Sequence, residues 1–575
     1  MPALGYIFRM YMVSWLHDKD RMIKGGNRMV KHRTKKNIAW TTAAVMSLSV
    51  LAACGGAASE PKTEAPAPAA GGETKPEPRG KISVSIYDRG LIPKEEGTYS
   101  DNRWTRWINE NGPVDVEFVQ IPRNESQQKY SMLFASGEAP DLVLEYDNAF
   151  VNTLWAQKQL LPLDDLIAEH STEYKKLLEK FPELKKLATK PDGKMYEIAR
   201  IMKTEVLGMM VIRKDWLDKL GLQVPQTIEE LYEVADAFAN GDPDGNGVKD
   251  TFGINLSQHA TYYVDAMFQN EMFIVENGEL IRQFDRIKPA YEFKRRLFEN
   301  NIVDKDFLTD TNGQKAEQDF ASGKLGIYLA YGSVISRNFD TLKNNTPGAE
   351  IVAMPFPKTE FGQFGPDFNP PFQLTGSVNA KAKDPVAVMK YIDFMVSEPT
   401  VQYFANGEEG VHYTASASGC PQPIDRDKNK NEMGYINDYK MFMPTYLLKT
   451  CAINERSLES TNAIDQEWIQ IAKEAEKIYL DPNRPHPGFT HAKFRPALEK
   501  DLNTLFNDGW NTMNEIMAKT IVSGNAYTVD QGVADVISAW DQAGGKKLEE
   551  WYKNWYQENK DNWLFMEDLY RMKFE

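Results

Sequence analysis

Apolar and polar residues alternate at 82–86 (Ile-Ser-Val-Ser-Ile) and again at 114–119 (Val-Asp-Val-Glu-Phe-Val). This period of two is the signature of half-buried strands. Between them, residues 102–111 read as a helix, as do 127–136, before the turn Gly137-Glu138-Ala139-Pro140-Asp141 feeds the run Leu142-Val143-Leu144. Strand alternating with helix implies a parallel sheet, whose ligands lie beyond the carboxyl ends of the strands. Two loops hold that position: Tyr87-Asp88-Arg89 and Glu145-Tyr146-Asp147. A further strand is expected at 206–212, and Thr227 is placed to cap the helix that follows Pro225. Helical patterns recur at 389–396 and 400–405, and those at 466–479, 494–508 and 548–559 make the C-terminal third rich in helix. The body, residues 81–575, is too long for one core and suits two lobes.

A different pattern precedes that body. Lys31, Arg33, Lys35 and Lys36 are followed by the short apolar run 38–50 and by Leu51-Ala52-Ala53-Cys54. A basic stretch, an apolar stretch too short to remain as a membrane span, and a small-residue cleavage site make residues 29–53 a secretory signal. Leu-Ala-Ala-Cys resembles the lipobox of bacterial lipoproteins, which implies cleavage before Cys54 and acylation of that cysteine. The acyl chains would hold the protein on the outer face of the cell membrane. Lys24-Gly25-Gly26 can be encoded by a ribosome-binding sequence with Met29 as the start, so residues 1–28 are expected to be untranslated. Residues 54–80, mostly Ala, Pro, Glu, Gly and Lys, offer almost nothing to bury and are expected to form a lipidated, disordered linker.

The whole chain carries a net −15, and residues 1–53 contribute +7 of it, which leaves −22 on the remainder. Such an acidic body is repelled by nucleic acid and disfavours a polyanionic ligand unless a local basic cleft overrides the mean. Cys420 and Cys451 remain once Cys54 is lipidated; an exterior location permits a disulfide between them, with two buried thiols as the alternative.

Several stretches occur in an order that resembles the extracellular solute-binding lipoproteins of ABC sugar importers in Gram-positive bacteria. They are the lipobox, Ser136-Gly137-Glu138-Ala139-Pro140-Asp141, Gly193-Lys194-Met195-Tyr196, Arg213-Lys214-Asp215-Trp216-Leu217, Asp242-Pro243-Asp244-Gly245-Asn246-Gly247, Phe320-Ala321-Ser322-Gly323-Lys324-Leu325-Gly326 and Glu409-Gly410-Val411-His412-Tyr413. The resemblance implies an α/β, periplasmic-binding-protein-like (type II) fold of two hinged lobes that close on a sugar. The N-terminal lobe is expected from 81–205 and 375–470, and the C-terminal lobe from 206–350 and 471–575. Crossings between them are expected near 204–211 and 351–378, where prolines interrupt the ladder. It also implies an oligosaccharide ligand, an ABC permease as partner and a monomeric binding protein with no catalytic role. A receptor that senses a sugar or peptide for a signalling partner would share fold and anchor. A surface glycan-degrading enzyme is the remaining class, and the chain holds no GxSxG, HExxH, CxxC or phosphate-loop motif.

Asp242, Asp244, Asn246 and Asp250 place oxygen side chains at positions 1, 3, 5 and 9 of an EF-hand-like loop, with Gly247 at position 6 and the Val248 carbonyl as a further ligand. The loop resembles the shortened calcium loop of the related alginate-binding proteins, but ends in Thr251 where those carry an acidic residue. A structural calcium ion is the expectation, and a metal-free Asp/Gly turn the alternative. Sugar capture calls for aromatic faces and planar polar groups. The candidates near the expected cleft loops are Tyr87, Asp88, Glu145, Asp147, Tyr196, Trp216, Tyr328, Tyr331, His412 and Tyr413. Tyr328 and Tyr331 lie three apart after a strand, so one is placed for the core and one for the cleft. Trp216 could equally be a buried anchor and His412 a turn-stabilising residue.

Overall fold

The computed structural model describes residues 79–574 except 417–418, 449–457, 459–461 and 497. The signal, Cys54, the linker before Arg79 and Cys451 lie outside the described residues; Cys420 is disulfide-bonded. The chain first lays down strands β1 (Lys81–Asp88), β2 (Asp115–Pro122), β3 (Leu142–Leu144) and β4 (Ile198–Ile201). It crosses as β5 (Glu205–Val206) and builds a second sheet from β6 (Gly208–Arg213), β7 (Phe252–Ile254), β10 (Leu325–Tyr331) and β11 (Ile351–Ala353), with a hairpin of β8 (Ile274–Glu276) and β9 (Glu279–Ile281) between them. It returns as β12 (Phe368–Asn369) and β13 (Phe372–Val378), and a small hairpin of β14 (Tyr413–Ala415) and β15 (Pro421–Pro423) follows.

The first sheet runs β2-β1-β3-β13-β4 and the second β11-β6-β10-β7. In each, one strand opposes the rest: β13 is antiparallel to β3 and β4, and β6 to β10 and β11. The all-parallel expectation therefore holds except for the strand that arrives from the other lobe. Such a strand enters at the edge where its neighbours end, so it must run against them. The crossings themselves pair: Phe368 lies opposite Val206, the Met202 amide donates to the Pro371 carbonyl, and the Leu207 and Gly208 amides both donate to the Asp367 carbonyl. Gly208 passes so close to Tyr263 and Pro366 that a Cβ there would meet the tyrosine oxygen at 2.3 Å.

Each lobe has its own core. Ile82, Val84 and Ile86 are buried with Trp104, Tyr130, Tyr391 and Phe404 in lobe one. β1 is covered on both faces, so its serines need partners: Ser85 accepts the Leu144 amide at 2.7 Å, and Ser83 donates to Asp141 at 2.8 Å. Helix Arg103–Asn111 starts from Asn102, which with Thr105 forms a capping box. Thr227 and Glu230 form another at the start of helix Ile228–Asn240, whose Leu231, Ala235 and Phe238 enter the lobe-two core.

Helix Ala463–Tyr479 packs on the second sheet, where the Tyr479 hydroxyl accepts the Met210 amide and donates to the Met354 carbonyl. The helix expected from 494 instead begins six residues later, as Lys500–Val522, because Pro496 breaks the register and leaves Phe494 on a short 3₁₀ turn. Met566 and Leu569, from the helix Met566–Arg571, are buried in the lobe-one core. Among the described residues no helix is long and apolar enough to cross a membrane.

Candidate functional site

Two groups of side chains gather where the sheets end at the crossings. In lobe one, β1 delivers Tyr87 and β3 delivers Glu145. The Tyr87 hydroxyl donates to Glu145 Oε1 at 2.6 Å, and the same oxygen accepts the amides of Tyr146 (2.7 Å) and Asp147 (2.9 Å). Glu145 Oε2 is buried without a partner. Burial first, and Glu145 second, push the Tyr87 hydroxyl well above its usual range. The Tyr87 and Tyr146 rings stack at 5.9 Å, and the Arg123 guanidinium lies 4.7 Å from the Tyr87 centroid and 5.9 Å from that of Tyr146. Arg89 Nε donates to both oxygens of Asp438, at 2.9 and 2.8 Å; that carboxylate side chain is 3% exposed. Arg200, on β4 opposite Gln373, completes this face with its Nε buried and unpartnered. Burial raises the Tyr146 hydroxyl, against the pull of Arg200, Arg89 and Arg123.

In lobe two, Asp367 stands just before β12 with its carboxylate 30% exposed and 2.8 Å from His486 Nε2. The Gly488 amide donates to His486 Nδ1 at 3.0 Å, which leaves the proton on Nε2, facing Asp367. Tyr262 lies 2.9 Å from that nitrogen and donates to Glu271 at 2.9 Å. Burial alone would raise the Asp367 carboxyl, but His486 first, then His491 and Arg495, hold it below the usual carboxylate range. Tyr331, at the end of β10, stacks on His259 at 4.3 Å; its hydroxyl is pushed up to about 12 by burial and Asp367. Burial lowers His259, and Asp367 partly offsets that. Segment 486–495 serves both groups: His486 pairs with Asp367, His491 lies 3.1 Å from the Phe368 carbonyl, and Lys493 is lowered by burial and by Arg200.

Of the residues singled out in the sequence, Tyr87 and Glu145 meet in the first group, with Asp88 and Asp147 beside them. Asp88 accepts the Gly90 amide, and Asp147 caps helix Asn148–Ala156. Tyr331 stands in the second group. The others lie elsewhere. Tyr196 packs with Val151, Leu154 and Leu160 and donates to Asp192. Trp216 is buried against Phe238 and the Arg213 guanidinium, and Tyr328 against Phe320. His412 is buried, accepts the Glu408 amide on Nδ1 and sits 3.0 Å from Glu432 on Nε2; Tyr413 pairs across the β14–β15 hairpin. Sequence reasoning missed Arg123, Tyr146, Arg200, Asp438, His259, Asp367, His486 and Lys493. Arg123 and Tyr146 follow the ends of β2 and β3, where the positional rule already pointed. Asp367 gathers three of the seven histidines in the chain, 259, 486 and 491.

The acidic loop is folded as a tight turn. Asp242, at φ 51°, accepts the amides of Gly245 (3.1 Å) and Gly247 (3.2 Å). The Asn246 side-chain amide donates to both Asp244 (2.8 Å) and Asp250 (3.2 Å), and Lys324 approaches Asp250 at 2.7 Å. Thr251 turns inward, donating to the Phe238 carbonyl. Among the described residues no group of three or more His, Cys, Asp or Glu is arranged to hold a metal.

Residues 104–402 match the profile of the family described as bacterial extracellular solute-binding protein. A fructooligosaccharide ABC transporter substrate-binding protein, FusA of Streptococcus pneumoniae, is 28% identical over 326 residues, 53% of this chain and 57% of that protein. Lipoprotein LipO of Bacillus subtilis is 24% identical, over 78% of this chain and 87% of its own. The polygalacturonan/rhamnogalacturonan-binding protein YtcQ of the same organism is 26% identical over 518 residues, 85% of this chain and 94% of its own. Among solved structures, an extracellular solute-binding protein from Bifidobacterium longum subsp. infantis superposes with a TM-score of 0.62 at 20% identity, covering 84% of this chain and 99% of that one. An EF-hand mutant of S. pneumoniae FusA in complex with fructo-nystose superposes with 0.60 at 19%, covering 84% and 100%. These likenesses establish a two-lobed solute-binding fold.

Proposed function

This chain belongs to the bacterial extracellular solute-binding proteins, and from that premise we propose that it captures an oligosaccharide between its lobes and delivers it to an ABC permease. The observation that carries the reading is the pair of aromatic and charged groups, Tyr87–Glu145–Tyr146 and Asp367–His259–Tyr331, at the crossings of two separate sheets. A ligand that bridges both groups favours the closed arrangement of the lobes. Stacking faces and planar polar groups on either side are what a sugar needs. The relatives named for fructooligosaccharide and for polygalacturonan support the ligand class.

In this reading the protein binds without catalysing, works as a monomer and is tethered outside the cell through Cys54, with LipO as the lipoprotein relative. Lobe one takes 81–205 and 375–470 and lobe two 206–350 and 471–575, except that helix Ala463–Tyr479 packs as a whole on lobe two and the last helix returns to lobe one. Calcium belongs to the same proposal. What supports it is the donor set: Asp244 and Asp250 converge on the Asn246 side chain on a turn braced by Asp242, and the Asn246 oxygen, which accepts the Val248 amide, would have to turn toward the ion. Asp242, Asp244, Asn246, Asp250 and the Val248 carbonyl would hold it; bound there, it would crosslink the excursion between helix Ile228–Asn240 and β7.

A thermal-shift screen of the protein against neutral and acidic oligosaccharides tests the function. A sugar at about 100 times its dissociation constant adds about 2.7 kcal/mol, a rise of a few degrees. A sugar that raises the midpoint and survives overnight incubation supports capture. One that is cleaved makes the protein an enzyme, and no shift with any sugar ends the oligosaccharide reading.

A further inference from the structure

Six asparagines in the chain are followed by glycine, at 111, 240, 246, 277, 312 and 406. Such a pair is chemically labile, because glycine has no side chain to keep its amide nitrogen away from the asparagine side-chain carbon. Folding ties down four of these nitrogens. The Gly112, Gly241, Gly313 and Gly407 amides donate to the Ile108, Ala237, Asp310 and Tyr403 carbonyls, at 2.8, 2.9, 3.2 and 2.8 Å. Asn277 and Gly278 form the exposed tip of the β8–β9 hairpin, where the Asn277 side chain makes no hydrogen bond with the described residues. Asn246 and Gly247 differ from all of these. The Gly247 amide donates to no backbone carbonyl among the described residues; it lies 3.2 and 3.4 Å from the two oxygens of the Asp242 carboxylate. The Asn246 side-chain oxygen accepts the Val248 amide at 2.6 Å, and its nitrogen donates to Asp244 at 2.8 Å and to Asp250 at 3.2 Å. Both residues are exposed, and open space surrounds the point where a Gly247 side chain would stand.

We propose that Asn246 is a site of spontaneous covalent modification, where the loop releases ammonia, takes up water and gains a carboxylate. The Gly247 nitrogen attacks the Asn246 side-chain carbon, and a new carbon–nitrogen bond closes a five-membered ring. The Asp242 carboxylate, as acceptor of the Gly247 N–H, polarises that bond and makes the nitrogen the better nucleophile. The Val248 N–H is placed to stabilise the negative charge that develops on the Asn246 oxygen, as an oxyanion-hole donor does. Solvent water carries the Gly247 proton to the side-chain nitrogen, whose bond to carbon breaks as it leaves as ammonia. A second water then opens the cyclic imide at either carbonyl, leaving aspartate or isoaspartate at 246. No electrons are gained or lost, and water is the sole co-reactant, freely available at this exposed turn. As aspartate the product sets a fourth carboxylate beside Asp242, Asp244 and Asp250; as isoaspartate it lengthens the backbone of the turn by one carbon. The inference is independent of sugar capture.

The full protein, incubated for days in mildly alkaline buffer and sampled by peptide mapping with mass spectrometry, tests this. The readout at each of the six asparagines is the mass gained when an amine is replaced by a hydroxyl. Asn246 should convert about tenfold faster than Asn277, an advantage within the reach of one oxyanion donor. The four asparagines whose glycine amides are tied to carbonyls should convert more slowly than either. In concentrated urea Asn246 and Asn277 should convert at similar rates, since both are then plain Asn-Gly pairs in an open chain. Asp242→Asn keeps a hydrogen-bond acceptor without the charge and should bring Asn246 down to the rate of Asn277. Asn246→Asp should migrate on a native gel with the converted form of the unaltered protein, which gives a second check if the Asp242 variant does not fold. An Asn246 that stays intact, or converts no faster than Asn277, overturns the inference. So does a lead over Asn277 that survives urea, because it would belong to the local sequence and not to the folded loop.

Discussion

Around Asp367 the protein answers its own charges: His486 faces the carboxylate, Tyr262 links that imidazole to Glu271, and backbone amides hold the Asp367 carbonyl. Around Tyr146 it does so only in part: Arg89 is held by Asp438 and Glu205 acts on Arg200, but Arg123 and Arg200 make no hydrogen bond or ion pair with the described residues. Both groups sit at strand ends beside the same crossings, so topology alone does not separate them. The difference lies in what each does before a ligand arrives. A closed network fixes geometry and adds stability to the empty protein, whereas an open one holds its interactions in reserve and costs stability until something binds.

The largest effect should come from breaking the closed side. Asp367→Ala leaves His486 Nε2 without its carboxylate, and denaturant unfolding should show a loss of about 2 kcal/mol, in the range for a hydrogen bond to a charged group. A change near zero would mean that lobe two is as open as lobe one.

Next is acid. Burial, chiefly, pushes His491 down to about 3 from its ordinary 6.5, so it stays neutral in the folded protein. Between pH 6.5 and 3 the unfolded chain binds the proton that the native one refuses. Stability from this group therefore falls as pH drops through that window and is unchanged above it, by up to about 1.4 kcal/mol per pH unit. His491→Asn keeps an acceptor for the Lys493 amide and should flatten the slope between pH 6.5 and 5. Parallel curves for the two proteins would assign the slope to other groups.

Tyr146→Ala probes the open side without touching its charges. Sugar affinity should drop about tenfold, as expected for loss of a stacking face, with unfolding free energy changed by less than about 1 kcal/mol. A variant that loses stability and not affinity would make Tyr146 a structural residue. The smallest effect belongs to the acidic loop, outside both groups. Calcium at about five times its dissociation constant should add about 1 kcal/mol, removed by EDTA or Asp244→Asn. Lys324→Gln, which frees Asp250, should tighten calcium binding; no response to either would leave the loop as a metal-free turn.

These contrasts also mark what the sequence could reveal. Alternation exposed β1 and β2, and Thr227 marked the start of its helix as a cap, because both signals are local. Tyr87 and Glu145 were legible as neighbours because both stand at the carboxyl ends of adjacent parallel strands, although both are buried there. Trp216 and Tyr328 carry the same chemistry but are turned into the core by their element faces, which composition cannot convey. Tyr331, three residues on from Tyr328, is turned to His259 instead. Arg200, Asp367, His486 and Lys493 were not visible at all. They come together only through crossings between distant segments, and none sits in a local motif.

Those crossings bear on how the molecule is made. The lobe-one core joins Ile82, from its first strand, to Met566 and Leu569 in the last helix described, and lobe two is assembled from segments in between. Contacts of such long sequence separation close late and slowly. A chain emerging from the ribosome would have most of its second lobe in hand while the first still lacked part of its interior, so the order of synthesis does not set the order of completion. The lobe that begins first is the one that finishes last.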